Sequence, residues 1–290
     1  MAANTYQVGR VKVHLISDGL FWTDGGANFG VVPKVLWERV IKADALNRVP
    51  MQLRCLLIET EAGLVLVDTG YGDKLAPRRR EHLGLAGDLR LAGELASLGY
   101  TPADIAMVVN THLHDDHAGG NTMVAPDGSI VPQFPNATYM VQRLELADAT
   151  YPNERTRNTY FPENFLVLGS LCRNDQEAAL QVLNGDSRIT HEVRTLITPG
   201  HTRSHQAVIV ESAGESAIFL GDAVPWAVSF EKLAWVAAFD AEPLVSMETK
   251  RNLREWALRK DALLFFQHDP HMGAGRLVRA GDEYRVVKES

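Results

Sequence analysis

Residues 112 to 117 of this chain read HLHDDH and place three histidines and two aspartates within six positions. Imidazole nitrogens and carboxylate oxygens are the ligands that zinc and related metal ions prefer. In extended backbone, His112 and His114 project to the same side, so both can bind one metal ion. If a helix begins next, Asp116 and His117 diverge by about 100° and suit a second metal ion beside the first. The motif therefore predicts a metal site.

Further candidate ligands occur later in the chain, each at the end of an apolar run. His201 follows RTLITPG, Asp222 lies near the end of SAIFLGDA, and His268 follows LLFFQ. Functional side chains are common where the strands of layered α/β folds give way to loops. Gly119 and Gly120, just after the motif, allow close approach of neighbouring backbone because they carry no Cβ. These positions predict the remaining ligands of a site for two metal ions.

Strand-like and helix-like patterns alternate along the chain. Strands are predicted at residues 11–17, 53–59, 64–70, 106–112, 138–142, 194–200, 206–212 and 216–223. Helices are predicted at 89–99, which ends at a glycine, and at 247–260, which has a mostly apolar face. This alternation predicts an α/β fold in which sheets and helices form layers.

Composition and charge exclude several classes of protein. The chain has 290 residues, and its formal net charge of −7 offers nucleic acid no general attraction. No apolar run approaches the roughly 18 residues needed to span a bilayer, and the N-terminal residues lack the apolar core of a secretory signal. Two cysteines, Cys55 and Cys172, make no disulfide framework. We therefore expect a cytoplasmic protein that binds neither nucleic acid nor membrane.

The ligand order resembles the signature of the metallo-β-lactamase superfamily, HxHxDH followed by His, Asp and His. The resemblance extends from LVLVDTG to FFQHDPH. It implies an α/β fold, a four-layer αββα sandwich whose two mixed sheets face each other, with residues 1–290 as a single domain. It also implies two divalent metal ions per chain, zinc by preference, with cobalt, manganese or iron as alternatives.

Carried over residue by residue, the resemblance assigns seven ligands. The first metal ion would be bound by His112, His114 and His201. The second would be bound by Asp116, His117 and His268, with Asp222 bridging the two. Asp68, in VDTG, would steady a ligand without touching metal.

The resemblance implies hydrolysis of a lactone or ester. A hydroxide bridging the metal ions would attack the carbonyl, and Asp116 would be the catalytic residue that carries a proton to the leaving alkoxide. True β-lactamases of the superfamily lack a ligand corresponding to His117, and the commonest class has a cysteine where Asp222 stands. The chain instead resembles the lactonase and methyl parathion hydrolase-like branch. The alternatives are phosphotriester hydrolysis, as a side or main activity, and a non-catalytic metal-binding sensor.

One position departs from that branch. Its lactonases carry a tyrosine three residues after the bridging aspartate, where it polarises the lactone carbonyl, but this chain has Pro225 there. An oxyanion partner would have to come from elsewhere, from Tyr151 or Tyr160, or be absent.

Two aromatic or charged segments, residues 21–50 and 145–190, are predicted to be excursions that cover a cleft. The candidate residues of a substrate pocket are Trp22, Tyr151, Tyr160, Trp226 and His271. The tryptophans suit a core or interface equally well, and His271 suits a solvated loop. His205 is expected beside a ligand or at the surface. The expected partner is a small lactone or ester, and exposed apolar residues near 29–50 favour a homodimer.

Overall fold

Strands alternate with helices along most of the chain, as the sequence predicts. The computed structural model describes residues 4–85, 89–173 and 177–289. The strands are β1 (Asn4–Val8), β2 (Val11–Asp24), β3 (Arg48–Thr60), β4 (Gly63–Val67), β5 (Ile105–Val109), β6 (Thr122–Val124), β7 (Ile130–Pro132), β8 (Thr138–Gln142), β9 (Cys172–Arg173), β10 (Glu177–Ala178), β11 (Leu180–Leu183), β12 (Val193–Ile197), β13 (Gln206–Ser212), β14 (Glu215–Phe219), β15 (Leu263–Phe265), β16 (Ala274–Ala280) and β17 (Glu283–Lys288).

The helices of the described residues are mostly short. They are α1 (Gly25–Phe29), α2 (Lys34–Trp37), α3 (Pro77–His82), α4 (Leu91–Ser97), α5 (Asp115–Ala118), α6 (Arg143–Thr150), α7 (Leu166–Ser170), α8 (Ala227–Glu231) and α9 (Pro243–Lys260). Helix α9 begins earlier than predicted because Pro243 occupies its first position, where the fixed φ of proline suits a helix. Within the described ranges, no helix has the length and apolar character needed to cross a membrane.

Two mixed sheets carry most of the strands. The seven-stranded sheet has the order β1-β2-β3-β4-β5-β8-β11 and the six-stranded sheet the order β12-β13-β14-β15-β16-β17. In the first, β4, β5, β8 and β11 run parallel to one another, and β4 is antiparallel to β3. In the second, only the pairing of β14 with β15 is parallel. The predicted strands are all present, and β11 adds a sheet strand within the predicted excursion 145–190, of which residues 174–176 lie outside the described residues.

The sheets face each other across a shared core. Leu56 and Val67 of the first sheet belong to the same apolar cluster as Val208 and Phe219 of the second. Because side chains alternate along a strand, the next residues point to the outer faces. There, the first sheet packs against α4 and α7, and the second against α8 and α9. The predicted four-layer αββα arrangement is therefore confirmed.

The candidate ligands all follow the carboxyl ends of strands. Strand β4 leads to Asp68, β5 leads to HLHDDH, and β12, β14 and β15 lead to His201, Asp222 and His268. Strand β5 ends at Val109, earlier than predicted, so His112 and His114 lie in the loop that follows it. Both sheets thus deliver side chains to one end of the sandwich.

Candidate metal centre

The predicted ligands converge into three clusters of nitrogen and oxygen atoms, each within 4.8 Å of one another. The clusters are His112, His114 and His201; His112, His117 and Asp222; and Asp116, His117 and His268. All seven residues that the sequence singled out as ligands are brought together here. Every cluster joins residues that follow β5 in the first sheet to a residue that follows a strand of the second.

Asp222 lies between the clusters. Its Oδ2 is 3.2 Å from His201 Nε2 and 3.5 Å from His117 Nε2, while its Oδ1 is 3.0 Å from His268 Nε2. It occupies a short 3-10 helix, Gly221–Ala223, where Gly221 has a φ of 50°. A Cβ on Gly221 would lie 2.7 Å from His205 Nε2, so the glycine is needed for this turn. The two oxygens of Asp222 face different clusters, as a bridging carboxylate requires.

The imidazoles are oriented for binding a cation. His117 Nδ1 donates to Asp68 Oδ2 at 2.9 Å, and His268 Nδ1 donates to the Gln52 carbonyl at 2.7 Å. When the rings are neutral, both Nε2 atoms therefore carry lone pairs, and these two nitrogens lie 3.3 Å apart. The buried Nε2 of His112 has no hydrogen-bond partner among the described residues. Facing lone pairs and an orphaned ring nitrogen are costly without a cation between them, so the residues present fit a metal site.

Asp68 supports the motif without joining a cluster. Besides His117, it accepts hydrogen bonds from Thr111 N and Thr111 Oγ1, both at 2.8 Å. It is fully buried and has a φ of 58°, which is uncommon for a residue other than glycine. One carboxylate thus fixes both the loop that carries the histidines and the ring orientation of His117.

Two further residues orient candidate ligands, and no sequence spacing predicts which residues they contact. Asp240 Oδ1 lies 2.9 Å from His201 Nδ1, so His201 directs Nε2 at the cluster. His205 is fully buried, and its Nε2 accepts a hydrogen bond from Asp222 N at 3.0 Å. His205 therefore lies beside a ligand, which confirms that expectation and removes the surface alternative.

Glu145, in the first turn of α6, holds three segments around the centre. It accepts hydrogen bonds from Leu113 N at 3.0 Å, Tyr160 Oη at 3.0 Å and Thr202 Oγ1 at 2.6 Å. Leu113 separates the first two histidines of the motif, and Thr202 follows His201. The carboxylate is fully buried, and desolvation raises its pKa despite these bonds.

The electrostatic field of the clusters favours positive charge. Burial lowers the pKa of His112 and His114 well below the usual imidazole range, so both are neutral, as metal ligands must be. Burial opposes protonation of His117 too, but Asp116, Asp222 and Asp68 outweigh it and raise its pKa. Carboxylates thus surround the ring nitrogens closely enough to bind a cation.

A cavity of about 620 Å³ opens over the clusters. Cluster residues in its lining are His114, Asp116, His201 and Asp222. One wall of the cavity is apolar and includes Phe21, Met51 and Leu83. Phe21 and Met51 belong to β2 and β3, the strands on either side of the first excursion. The other side is formed by the segment 151–160, including Tyr151 and Tyr160. The bases of both predicted excursions therefore lie at this cleft.

Three candidate pocket residues lie elsewhere. Trp22 alternates along β2 with Phe21 and Thr23, which face the cavity, so Trp22 points to the other face of the sheet. It lines a separate cavity together with His271. Trp226 is 1% exposed and packs in the core, with its ring 5.4 Å from that of Phe29. These placements correct the prediction for all three.

Comparison with known proteins identifies a family model that matches this chain and several hydrolases that are similar to it. A family model of the metallo-β-lactamase superfamily matches residues 48–268. An N-acyl homoserine lactonase of Bacillus cereus is 27% identical over 235 residues, which cover 77% of this chain and 83% of that protein. The crystal structure of a probable metal-dependent hydrolase from Staphylococcus aureus aligns with a TM-score of 0.85 and 27% identity, over 98% of this chain and 100% of that one. AidC, a dizinc quorum-quenching lactonase, shares the fold, with a TM-score of 0.78 and 19% identity. The alignment covers 100% of this chain and 98% of AidC.

Proposed function

Because the chain belongs to the metallo-β-lactamase superfamily, we propose that it is a dinuclear metal-dependent hydrolase that opens a lactone or ester. The observation that carries the proposal is the convergence of seven candidate ligand side chains, four of which line one cavity. His112, His114 and His201 would hold one metal ion. Asp116, His117 and His268 would hold the other, and Asp222 would bridge them.

Zinc is the proposed metal, because imidazole and carboxylate ligands at borderline-soft sites suit it well. Bound divalent cations would polarise the substrate carbonyl and lower the pKa of water, so that a nucleophile is available near neutral pH. The chain contributes the orientation of the ligands, through Asp68, Asp240 and the Gln52 carbonyl.

Asp116 is the residue proposed to carry the proton to the leaving alkoxide. Its side chain is 16% exposed and lines the cavity, unlike the fully buried His117 beside it. Its Oδ2 lies 3.5 Å from His268 Nε2, so one side chain connects the second cluster to the cavity. A carboxylate placed there can accept a proton and deliver it to an oxygen within the same cavity.

A small lactone is the proposed substrate class. Relatives about 27% identical over most of the chain are N-acyl homoserine lactonases, and the cavity offers an apolar wall beside the polar floor. Phosphotriester hydrolysis and a non-catalytic sensor stay predictions, as do a cytoplasmic location and the homodimer. Val31, Val35 and Leu46 are 93%, 71% and 69% exposed, which supports the homodimer.

The test combines metal content with a substrate panel. Protein purified without added metal is analysed for its elements, then assayed with γ- and δ-lactones, aryl esters and paraoxon. About two metal ions per chain with lactone turnover is the expected result. His114→Ala serves as the control that loses metal and activity together. One metal ion per chain would contradict the assignment of Asp116, His117 and His268, and fully loaded protein without turnover of any substrate would contradict the hydrolase.

A further inference from the structure

In the hydrolysis of a lactone, a hydrogen-bond donor near the oxygen that gains negative charge adds to the stabilisation that cations provide. Pro225, three residues after Asp222, has no side-chain donor. Its carbonyl oxygen accepts a hydrogen bond from His268 N at 3.3 Å. A side-chain donor would therefore come from another part of the cavity wall.

Two tyrosines of the cavity wall are poorly suited to this role, contrary to the expectation from the sequence. Tyr160 donates its hydroxyl proton to Glu145 Oε1 at 3.0 Å, a buried bond that leaves no proton for a substrate. Tyr151 is 86% exposed at the rim, where water competes for its hydroxyl. Neither hydroxyl is placed to serve the floor of the cavity.

Tyr71 is the remaining tyrosine in the lining, and sequence reasoning passed over it. Only 5% of it is exposed, and its ring packs edge-on against Phe21, with centroids 5.3 Å apart. Phe21 in turn packs edge-on against His268, so one ring connects Tyr71 to a candidate ligand of the second cluster. No described residue forms a hydrogen bond with its hydroxyl. Its hydroxyl oxygen does not belong to the fully buried polar atoms that lack a hydrogen-bond partner. The oxygen is therefore partly accessible.

The surroundings of Tyr71 keep its hydroxyl protonated. Burial raises the pKa of the phenol well above its usual value, and the nearby carboxylates of Asp116, Asp115 and Asp222 raise it further. Tyr71 also lines the cavity together with Asp116 and Asp222, two of the candidate metal ligands. A neutral phenol there can donate a hydrogen bond.

The backbone of Tyr71 is held firmly. Its N–H donates to Asp18 Oδ2 at 3.1 Å. On the other side, a Cβ added to Gly119 would lie 2.1 Å from the Tyr71 carbonyl oxygen, so the turn packs directly against the metal-binding segment. Such fixed placement is what a preorganised oxyanion donor requires.

We propose that Tyr71 is a further catalytic residue, whose hydroxyl donates a hydrogen bond to the substrate carbonyl oxygen as that oxygen becomes negative. This inference rests on the proposed function and takes over the role that the residue at position 225 cannot fill. The phenol keeps its proton throughout, while water supplies the new C–O bond and the ring oxygen of the lactone leaves as the alcohol.

The experiment compares Tyr71→Phe with the wild type, both fully loaded with zinc. We expect kcat for a γ-lactone to fall about 100-fold, the effect typical of losing one oxyanion donor, with KM changed by less than about 2-fold. Metal content should equal that of the wild type. Binding of a cyclic phosphonate, measured by calorimetry, should weaken, because its charged oxygen imitates the developing oxyanion.

Tyr100→Phe is the matched control. Its hydroxyl donates to Glu59 Oε1 at 2.8 Å and does not line the cavity, so kcat should stay at the wild-type value. If the wild type turns over the lactone and Tyr71→Phe has the same kcat and phosphonate affinity, the inference is overturned. The proposed hydrolase function would then still stand. Loss of metal from Tyr71→Phe would also overturn it, because the tyrosine would then support the ligands. A loaded wild type that turns over no substrate would refute the proposed function, and this inference with it.

Discussion

The Nδ1 atom of His201 lies 2.9 Å from Oδ1 of Asp240, a residue 39 positions later in the chain. This contact selects the tautomer of His201 that leaves Nε2 free for the cluster. Asp240 also lines a very small cavity with Asp222 and Lys250, behind the candidate metal centre. The support of a ligand therefore comes from a segment that carries no metal-binding pattern.

Removing this support should weaken metal binding. We expect Asp240→Ala to lower zinc affinity about 10- to 100-fold, measured by competition with a chelator of known affinity. Asp240→Asn keeps an oxygen acceptor and should lose less. Equal affinities for the alanine variant and the wild type would show that His201 needs no such partner.

His205 and His201 should respond differently to substitution, although they lie four residues apart. His205→Ala removes the acceptor for Asp222 N and should lower the free energy of unfolding by about 1–3 kcal/mol while metal content stays near wild type. His201→Ala should lose metal. Elemental analysis after dialysis distinguishes the two, and loss of metal from both variants to the same extent would make His205 a ligand.

Glu145→Gln should destabilise the fold. Three donors converge on the Glu145 carboxylate, and the amide group of glutamine would face one of them with a donor of its own. We expect a loss of about 1–3 kcal/mol in urea unfolding. The control is Asp148→Asn on the same helix, which breaks a partly exposed ion pair with Arg203 and should cost less than about 1 kcal/mol. Equal losses would contradict the role assigned to Glu145.

Asp18 predicts how stability depends on pH. Burial raises its pKa from 3.8 to about 6, although backbone N–H groups, including those of Leu91 and Tyr71, lower it in part. The folded state therefore binds a proton more tightly than the unfolded chain between these values, so this group makes the free energy of unfolding fall as pH rises from about 4 to 6. Over this pH range, the loss in the free energy of unfolding from this group is on the order of 3 kcal/mol.

Asp18→Asn should flatten that part of the stability profile. The test is urea unfolding of metal-free protein at several values between pH 4 and pH 7, with wild type and variant compared at each value. Because Asn cannot titrate, the two curves should differ in slope below pH 6 and run parallel above it. Identical slopes would show that Asp18 titrates normally.

The side chains that converge in the three clusters were predicted in two ways. HLHDDH carries its ligand pattern locally, and the family resemblance selected His201, Asp222 and His268 at later strand ends. Asp240, Glu145 and Tyr71 could not be found this way, since their roles depend on which distant segments meet. Trp22 shows a subtler limit. The predicted strand ended at residue 17 and Trp22 fell in the predicted excursion, but β2 continues to Asp24, and its alternation turns Trp22 away from the cavity that Phe21 and its partner Met51 line.

The fold shows the same division. Apolar runs such as those of β4 and β13 predicted strands, and the structure confirms both, with most of their residues buried. Strands β16 and β17 were missed because Arg276, Arg279, Arg285 and Lys288 give them a charged, alternating character. β17 is the edge strand of the second sheet and β16 is its neighbour, so charged residues are tolerated on their exposed face.

Every ligand cluster draws on both sheets, so no cluster is complete within either half of the sandwich. A cation can reach its full set of ligands only after the halves have docked. A metal ion that binds only the native state stabilises that state, so bound metal would strengthen the packing of the two sheets against each other. The fraction of protein with metal bound would then measure the fraction in which the two sheets are packed together. Partial separation of the sheets would release the metal before either sheet unfolds.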